Sequence, residues 1–210
     1  MFTVNILSGP PGSGATGAAS PSAAPATTAG SALLPPTATT AAPPTASAGE
    51  TAEDSKFPEK VVYAGRTEDR PAAIAVAVLG NQAAAYFCDG RNVEAWFRGT
   101  VEGVNISLES KSGATLQAEL DGKEIKGTVQ VENDTLEFEI DEAKEPAGLY
   151  RARRSKTTIG WIVLQDGSQV GVQTTGSDST AAPQLDPENP QVTVGGEGLD
   201  AAPVDGDEDL

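Results

Sequence analysis

The 210-residue chain has no histidine and a single cysteine, Cys88. Without histidine there can be no serine–histidine triad, no cysteine–histidine pair and no imidazole ligand for a metal. One cysteine excludes an internal disulfide and a cysteine-rich zinc site. Charge is missing by region. Residues 1–49 carry no charged side chain and no base follows Lys156, although the chain holds 30 acids, 14 bases and a net charge of −16. That excess repels phosphate backbones and no basic stripe offsets it, so nucleic acid is not an expected partner and anionic membrane surfaces are disfavoured. No apolar run approaches the roughly 18 residues of a spanning helix, so no direct membrane span is expected. Helical periodicity of useful length is also absent.

What is present falls into three segments. Residues 11–50 contain 32 Ala, Pro, Ser or Thr residues, five Gly, and only Leu33, Leu34 and Glu50 besides. So little large apolar surface cannot offset the entropy of ordering a chain. Residues 1–55 are therefore expected to be a disordered, partly polyproline-like linker. An all-β domain is expected over 56–174. Residues 175–210 are expected to be an acidic, largely extended tail, with a short strand at 191–194.

The middle segment alternates with period two. Val104, Ile106 and Leu108 interleave with Asn105, Ser107 and Glu109, and Leu136, Phe138 and Ile140 interleave with Glu137 and Glu139. Each such run is a strand with one buried and one wet face. Asp89-Gly90, Ser112-Gly113, Asp121-Gly122 and Asn133-Asp134 supply residues that tolerate tight hairpins. Ile74–Leu79 and Ala83–Cys88 are apolar on both faces, which calls for a covering layer, a closed barrel with a packed exterior, or a partner. About nine or ten short strands form an antiparallel up-and-down meander that closes as a barrel or folds as a sandwich. Residues 148–172 are expected to supply its closing strands. The alanines at 73, 75, 77, 83, 84 and 85 either leave an internal cavity or allow close sheet packing.

Tyr63-Ala64-Gly65, Ala84-Ala85-Tyr86-Phe87-Cys88-Asp89-Gly90, Trp96-Phe97-Arg98-Gly99 and Gly148-Leu149-Tyr150-Arg151-Ala152 resemble an uncharacterised family of actinobacterial cell-envelope proteins. Gly160-Trp161-Ile162-Val163-Leu164 and Asp166-Gly167-Ser168-Gln169-Val170-Gly171-Val172 continue that resemblance, which covers about residues 61–205. It implies a small β-domain held by a linker, outside the cytoplasmic membrane, either anchored or secreted. It implies no activity and no catalytic residue. The expected location requires a signal or anchor that this chain does not show, as a start codon assigned too late would produce.

Several motifs carry a functional and a plainer reading. Gly9-Pro10-Pro11-Gly12-Ser13-Gly14-Ala15-Thr16 has phosphate-loop spacing, but Ala15 replaces the lysine that supplies charge to the phosphates, so a linker is the better reading. Cys88 has no base to activate it and Asp89 beside it, so a buried structural thiol is expected. Glu137 and Glu139 share a strand face, as a hydrolytic pair can, but they alternate outward from an apolar set and read as a solvated face. Arg151, Arg153, Arg154 and Lys156 form the one basic cluster, suited to pairing with those glutamates or to guarding a sheet edge. Asp186–Asn189 and the acidic end offer oxygen ligands for loose calcium binding, without the spacing of a dedicated loop.

Trp96 and Phe97 are adjacent and must face opposite ways. Val93, Ala95 and Phe97 form the apolar set, which places Phe97 inside and Trp96 outside, stacked on Arg98 or on an arginine from 151 to 154. Trp96, Arg98, Arg151 and Arg153 are thus the candidate partner surface. With no cofactor motif and no catalytic constellation, the expectation is a non-enzymatic module that binds or scaffolds, with an envelope protein or polysaccharide as partner. The alternative is a carrier that holds a small apolar ligand in the barrel interior.

Overall fold

Alternating apolar residues between tight turns build a closed eight-stranded barrel with a second sheet packed on its wall. The computed structural model describes residues 55–68 and 72–208. The phosphate-loop-like segment and nearly all of the expected linker lie outside the described residues. Fifteen strands and no helix are present among the described residues. No helix is therefore long and apolar enough to cross a membrane.

The barrel runs in sequence order through β1 (Lys60–Arg66), β2 (Ala73–Leu79), β3 (Gln82–Cys88), β4 (Glu94–Glu102), β5 (Asn105–Ser110), β6 (Thr115–Asp121), β7 (Glu124–Val131) and β8 (Asp134–Glu142). All neighbours are antiparallel, and β1 pairs with β8 at Tyr63–Glu142 and Ala64–Asp141 to close the ring. This decides barrel over sandwich. Inward positions carry Tyr63, Val76, Phe97, Ile106, Leu116, Ile125, Phe138 and Ile140, all nearly inaccessible to solvent. Outward positions of β5–β8 carry Ser107, Glu109, Gln117, Glu119, Lys126, Thr128, Glu137 and Glu139, all exposed. An apolar inside and a charged outside is the reverse of a barrel wall that faces lipid. A barrel this small must bend sharply. At inward-facing Gly127, a Cβ would lie 2.1 Å from the Gln117 carbonyl oxygen, so only glycine permits that approach of β6 and β7.

The second sheet explains the doubly apolar strands. It comprises β9 (Gly148–Arg154), β10 (Thr157–Val163), β11 (Gln169–Thr175), β12 (Asp178–Ala181) and the short β15 (Ala202–Pro203), in the order β12-β11-β10-β9-β15. Leu149, Ile162 and Val172 from this sheet, with Leu164 just past β10, pack onto Ala64, Ala73, Ala75, Ala77, Ala84, Tyr86 and Cys88 on the outside of the barrel. The outward alanines thus allow close packing of two layers. Ala83 and Ala85 face the barrel interior. Residues 148–172 do not close the barrel, which β1 and β8 have already done; they cover it. The physical reason is burial: apart from Gln82 at its edge, the outer face of β2–β3 is made mainly of alanines with Tyr86 and Cys88, an apolar surface that a second layer removes from water.

The acidic segment also differs from a solvated extension. β13 (Gln191–Val194) forms where a strand was expected and pairs with β14 (Glu197–Asp200). Leu185, Val192, Leu199 and Ala201 pack against Tyr150, Ala152, Ile159, Trp161 and Val163, the other face of the second sheet. Trp161 Nε1 donates to the Pro183 carbonyl at 2.7 Å, and Gln169 exchanges two hydrogen bonds with the Leu185 backbone. Val204 enters the layer between barrel and sheet, its N–H bonded to Leu149 O. The few apolar residues of this segment are spaced to bury, while its described acids are exposed or partly exposed.

Candidate functional site

The two barrel ends are unlike. At the end where β4 turns into β5, Lys56 N–H donates to Gly103 O, and Phe57 enters the core with its ring edge-on to Tyr63, centroids 6.1 Å apart. That end is plugged. At the opposite end, where β3 leads to β4 and β7 to β8, a cavity of about 340 Å³ opens. Ala72, Phe87, Val93, Val131 and Leu136 give it an apolar lining, and Asp89, Arg91, Glu132 and Asp134 give it charge. A second cavity of about 430 Å³ lies alongside, with Asn92, Glu94, Ser112 and Gln130 among its polar lining. The two share Val93, Val131 and Glu132. Ligand sites are commonly clefts of about 300–1,000 Å³, largely apolar with a few placed polar groups, and barrel mouths are a frequent location.

Asp89 builds the loop that walls this mouth. Its Oδ1 accepts from the backbone N–H of Arg91 at 2.8 Å and from those of Asn92 and Val93 at 3.0 Å each. Burial works against the charged carboxylate, but those three amides outweigh it and hold the pKa below the ordinary value. Asp89 is thus ionised, and the amides that could have met an anionic ligand are already occupied. Glu132 holds a left-handed backbone at φ 57°, turning β7 into β8 at the rim. The sequence marked Asp89-Gly90 and Asn133-Asp134 only as turns. Nothing local shows that these hairpin ends converge, because convergence depends on ring closure.

Among the residues expected to form a partner surface, the structure brings Trp96 and Arg151 together. The Arg151 guanidinium carbon lies 4.9 Å from the Trp96 ring centroid, and Tyr86 packs on the indole at 4.2 Å. Gly160 of β10 comes so close that a Cβ there would lie 2.6 Å from Trp96 Cζ2 and 2.6 Å from Tyr86 Cζ. Trp96 is outside the barrel and Phe97 inside, as the alternation predicts, but Trp96 is half-buried under the second sheet. Its neighbour Glu94 accepts from Tyr86 Oη at 2.7 Å and from Thr174 Oγ1, tying β3, β4 and β11. Arg98 is exposed and lines, with Trp96, Glu109 and Lys111, a groove of about 300 Å³ on the barrel flank. Arg153 is exposed on β9, away from that groove.

The remaining candidates resolve simply. Cys88 is buried, and burial pushes its thiol up to about 12, so it is not a thiolate at neutral pH. Glu137 and Glu139 lie outward and exposed on β8, with Glu139 3.5 Å from Lys126. Arg154 pairs with Glu197 at 3.5 Å and donates to Gly198 O, so part of the basic cluster holds the C-terminal segment. Asp186 caps a turn by accepting from Glu188 N–H. Among the described residues no group of three or more Cys, Asp or Glu is placed to hold a metal ion. No protein-family model, curated protein or solved structure matches the chain with significance.

Proposed function

We propose that this protein is a non-enzymatic binding module of the cell envelope, and that it holds a small, partly apolar molecule at the open end of its barrel. The observation that carries this reading is the asymmetry of the ends. One is plugged by Phe57, and the other keeps an apolar-floored cavity of about 340 Å³ with charged groups at its edge. The interior between them is filled by side chains from Tyr63 to Ile140, which favours the mouth over the interior as the place for a ligand. The inert Cys88 thiol removes the most nucleophilic group in the chain from chemistry, which supports binding over catalysis. The envelope setting rests on the resemblance described above and on the linker composition. A screen of small apolar and amphiphilic fragments, followed by methyl NMR of the full chain, tests the site. Shifts are expected to cluster at Val93, Val131 and Leu136; a screen that leaves those methyls unmoved would refute the proposal. Fractionation of the host cells tests the location, and recovery with the cytoplasm would count against it.

A further inference from the structure

Resting on that reading of the mouth, we infer that its ligand is a cationic amphiphile: an apolar group seated beside Phe87 and Leu136, carrying an ammonium or amidinium head that meets Glu132 and extends into the neighbouring polar cavity.

Three features point the same way. First, the two cavities differ in character but share Val93, Val131 and Glu132. A molecule spanning both passes the Glu132 carboxylate at the point where its apolar part ends. Second, the charge of the first cavity is three carboxylates, Asp89, Glu132 and Asp134, against the single guanidinium of Arg91. Third, the Arg91, Asn92 and Val93 amides, the natural anion-binding group of this loop, already donate to Asp89. The loop therefore offers an anionic head little, while the acidic rim repels it. The net charge of −16 deepens the effect, since a cleft in a negative field concentrates cations and excludes anions. The second cavity adds Asn92, Ser112 and Gln130, which can hydrogen-bond the substituents of a polar head.

The test uses three probes with one apolar body: 4-phenylbutylamine, 4-phenylbutanol and 4-phenylbutyrate. Each is titrated into the full chain at neutral pH, with methyl shifts at Val93, Val131 and Leu136 as readout. The amine is expected to bind at least about fivefold more tightly than the alcohol, the effect of roughly 1 kcal/mol for a partly exposed charge pair, and the butyrate most weakly. Glu132→Gln should clearly shrink the preference for amine over alcohol, whereas Glu137→Gln on the outer wall should leave it intact; an undiminished preference in Glu132→Gln would overturn the assignment of the head to Glu132. Added salt should weaken the amine alone. If all three probes move the mouth methyls equally, the cationic assignment is overturned while the mouth stands as a binding site. If the amine instead shifts residues of the acidic outer wall, the assignment also falls. If no probe moves the mouth methyls, the binding reading falls with it.

Discussion

At the residue scale, the Tyr86–Trp96–Gly160 contact shows how one missing side chain sets the spacing of two layers. Gly160→Ala should destabilise the protein by about 1–3 kcal/mol, because the added methyl overpacks against two rings. In a double-mutant cycle that loss should shrink when Trp96 is made smaller, and additive losses would show that the rings are not the obstacle. Phe97→Ala should cost about 3–5 kcal/mol as a core truncation, and Trp96→Ala less, because the second sheet covers Trp96 only in part. Trp96→Phe should cost less than Trp96→Ala, since a ring remains against Tyr86 and Trp96 Nε1, buried without a hydrogen bond, has none to lose. Denaturant titration checks all of these. Partly exposed Asp89 and buried Cys88 give opposite pH signatures. Asp89 is more acidic folded than unfolded, so its contribution is full above the ordinary carboxylate range and fades as pH falls through its lowered value. Cys88 is held neutral, with a thiol raised to about 12. Its contribution is full below the unfolded thiol value of about 8.5 and declines as pH climbs beyond it. A thiol reagent should accordingly label Cys88 slowly in the native state and rapidly in denaturant.

At the level of elements, the barrel and its cover are separable in hydrogen bonding but not in burial. β1–β8 form a complete ring without β9–β15. Removing residues 148–210 should nevertheless expose the alanine-rich face of β2–β3 together with Tyr86 and Cys88, leaving an apolar patch that associates. Light scattering of the truncated chain checks this, and a soluble monomer of native stability would show that the cover is dispensable. A smaller cut, ending the chain at Ala201, removes Val204 from the interlayer core and the Lys60–Asp205 contact at 2.8 Å. It should lower stability by about 2 kcal/mol, roughly the value of burying one valine with its backbone hydrogen bond. The alternation rule made most of these elements readable. Val104–Glu109 and Leu136–Ile140 show period two so plainly that β5 and β8 follow from it. Among the short C-terminal strands only β13 was readable; β12, β14 and β15 are two to four residues long and carry at most one large apolar residue each. In such strands the tertiary contact of one residue, Val192 or Leu199, outweighs local propensity.

For the whole molecule, the charge of −16 has a consequence independent of any site. Self-repulsion among carboxylates opposes compactness, so stability should rise as salt is added toward about 1 M, where the screening length is near 3 Å. A melting temperature unchanged by salt would mean that pairs such as Lys126 with Asp121 and Glu124 already balance the local field. All-β class, the inward place of Phe97 and the need for a cover over Ile74–Cys88 came from sequence alone, because each depends only on which residues alternate and how apolar they are. Ring closure by β1 and β8, the identity of the cover and the joining of Asp89, Glu132 and Asp134 at one mouth did not. These residues lie up to 45 positions apart on separate hairpins. Only a closed barrel brings such hairpin ends together, and closure is set by strand count and register around the ring, which no local pattern of side chains encodes.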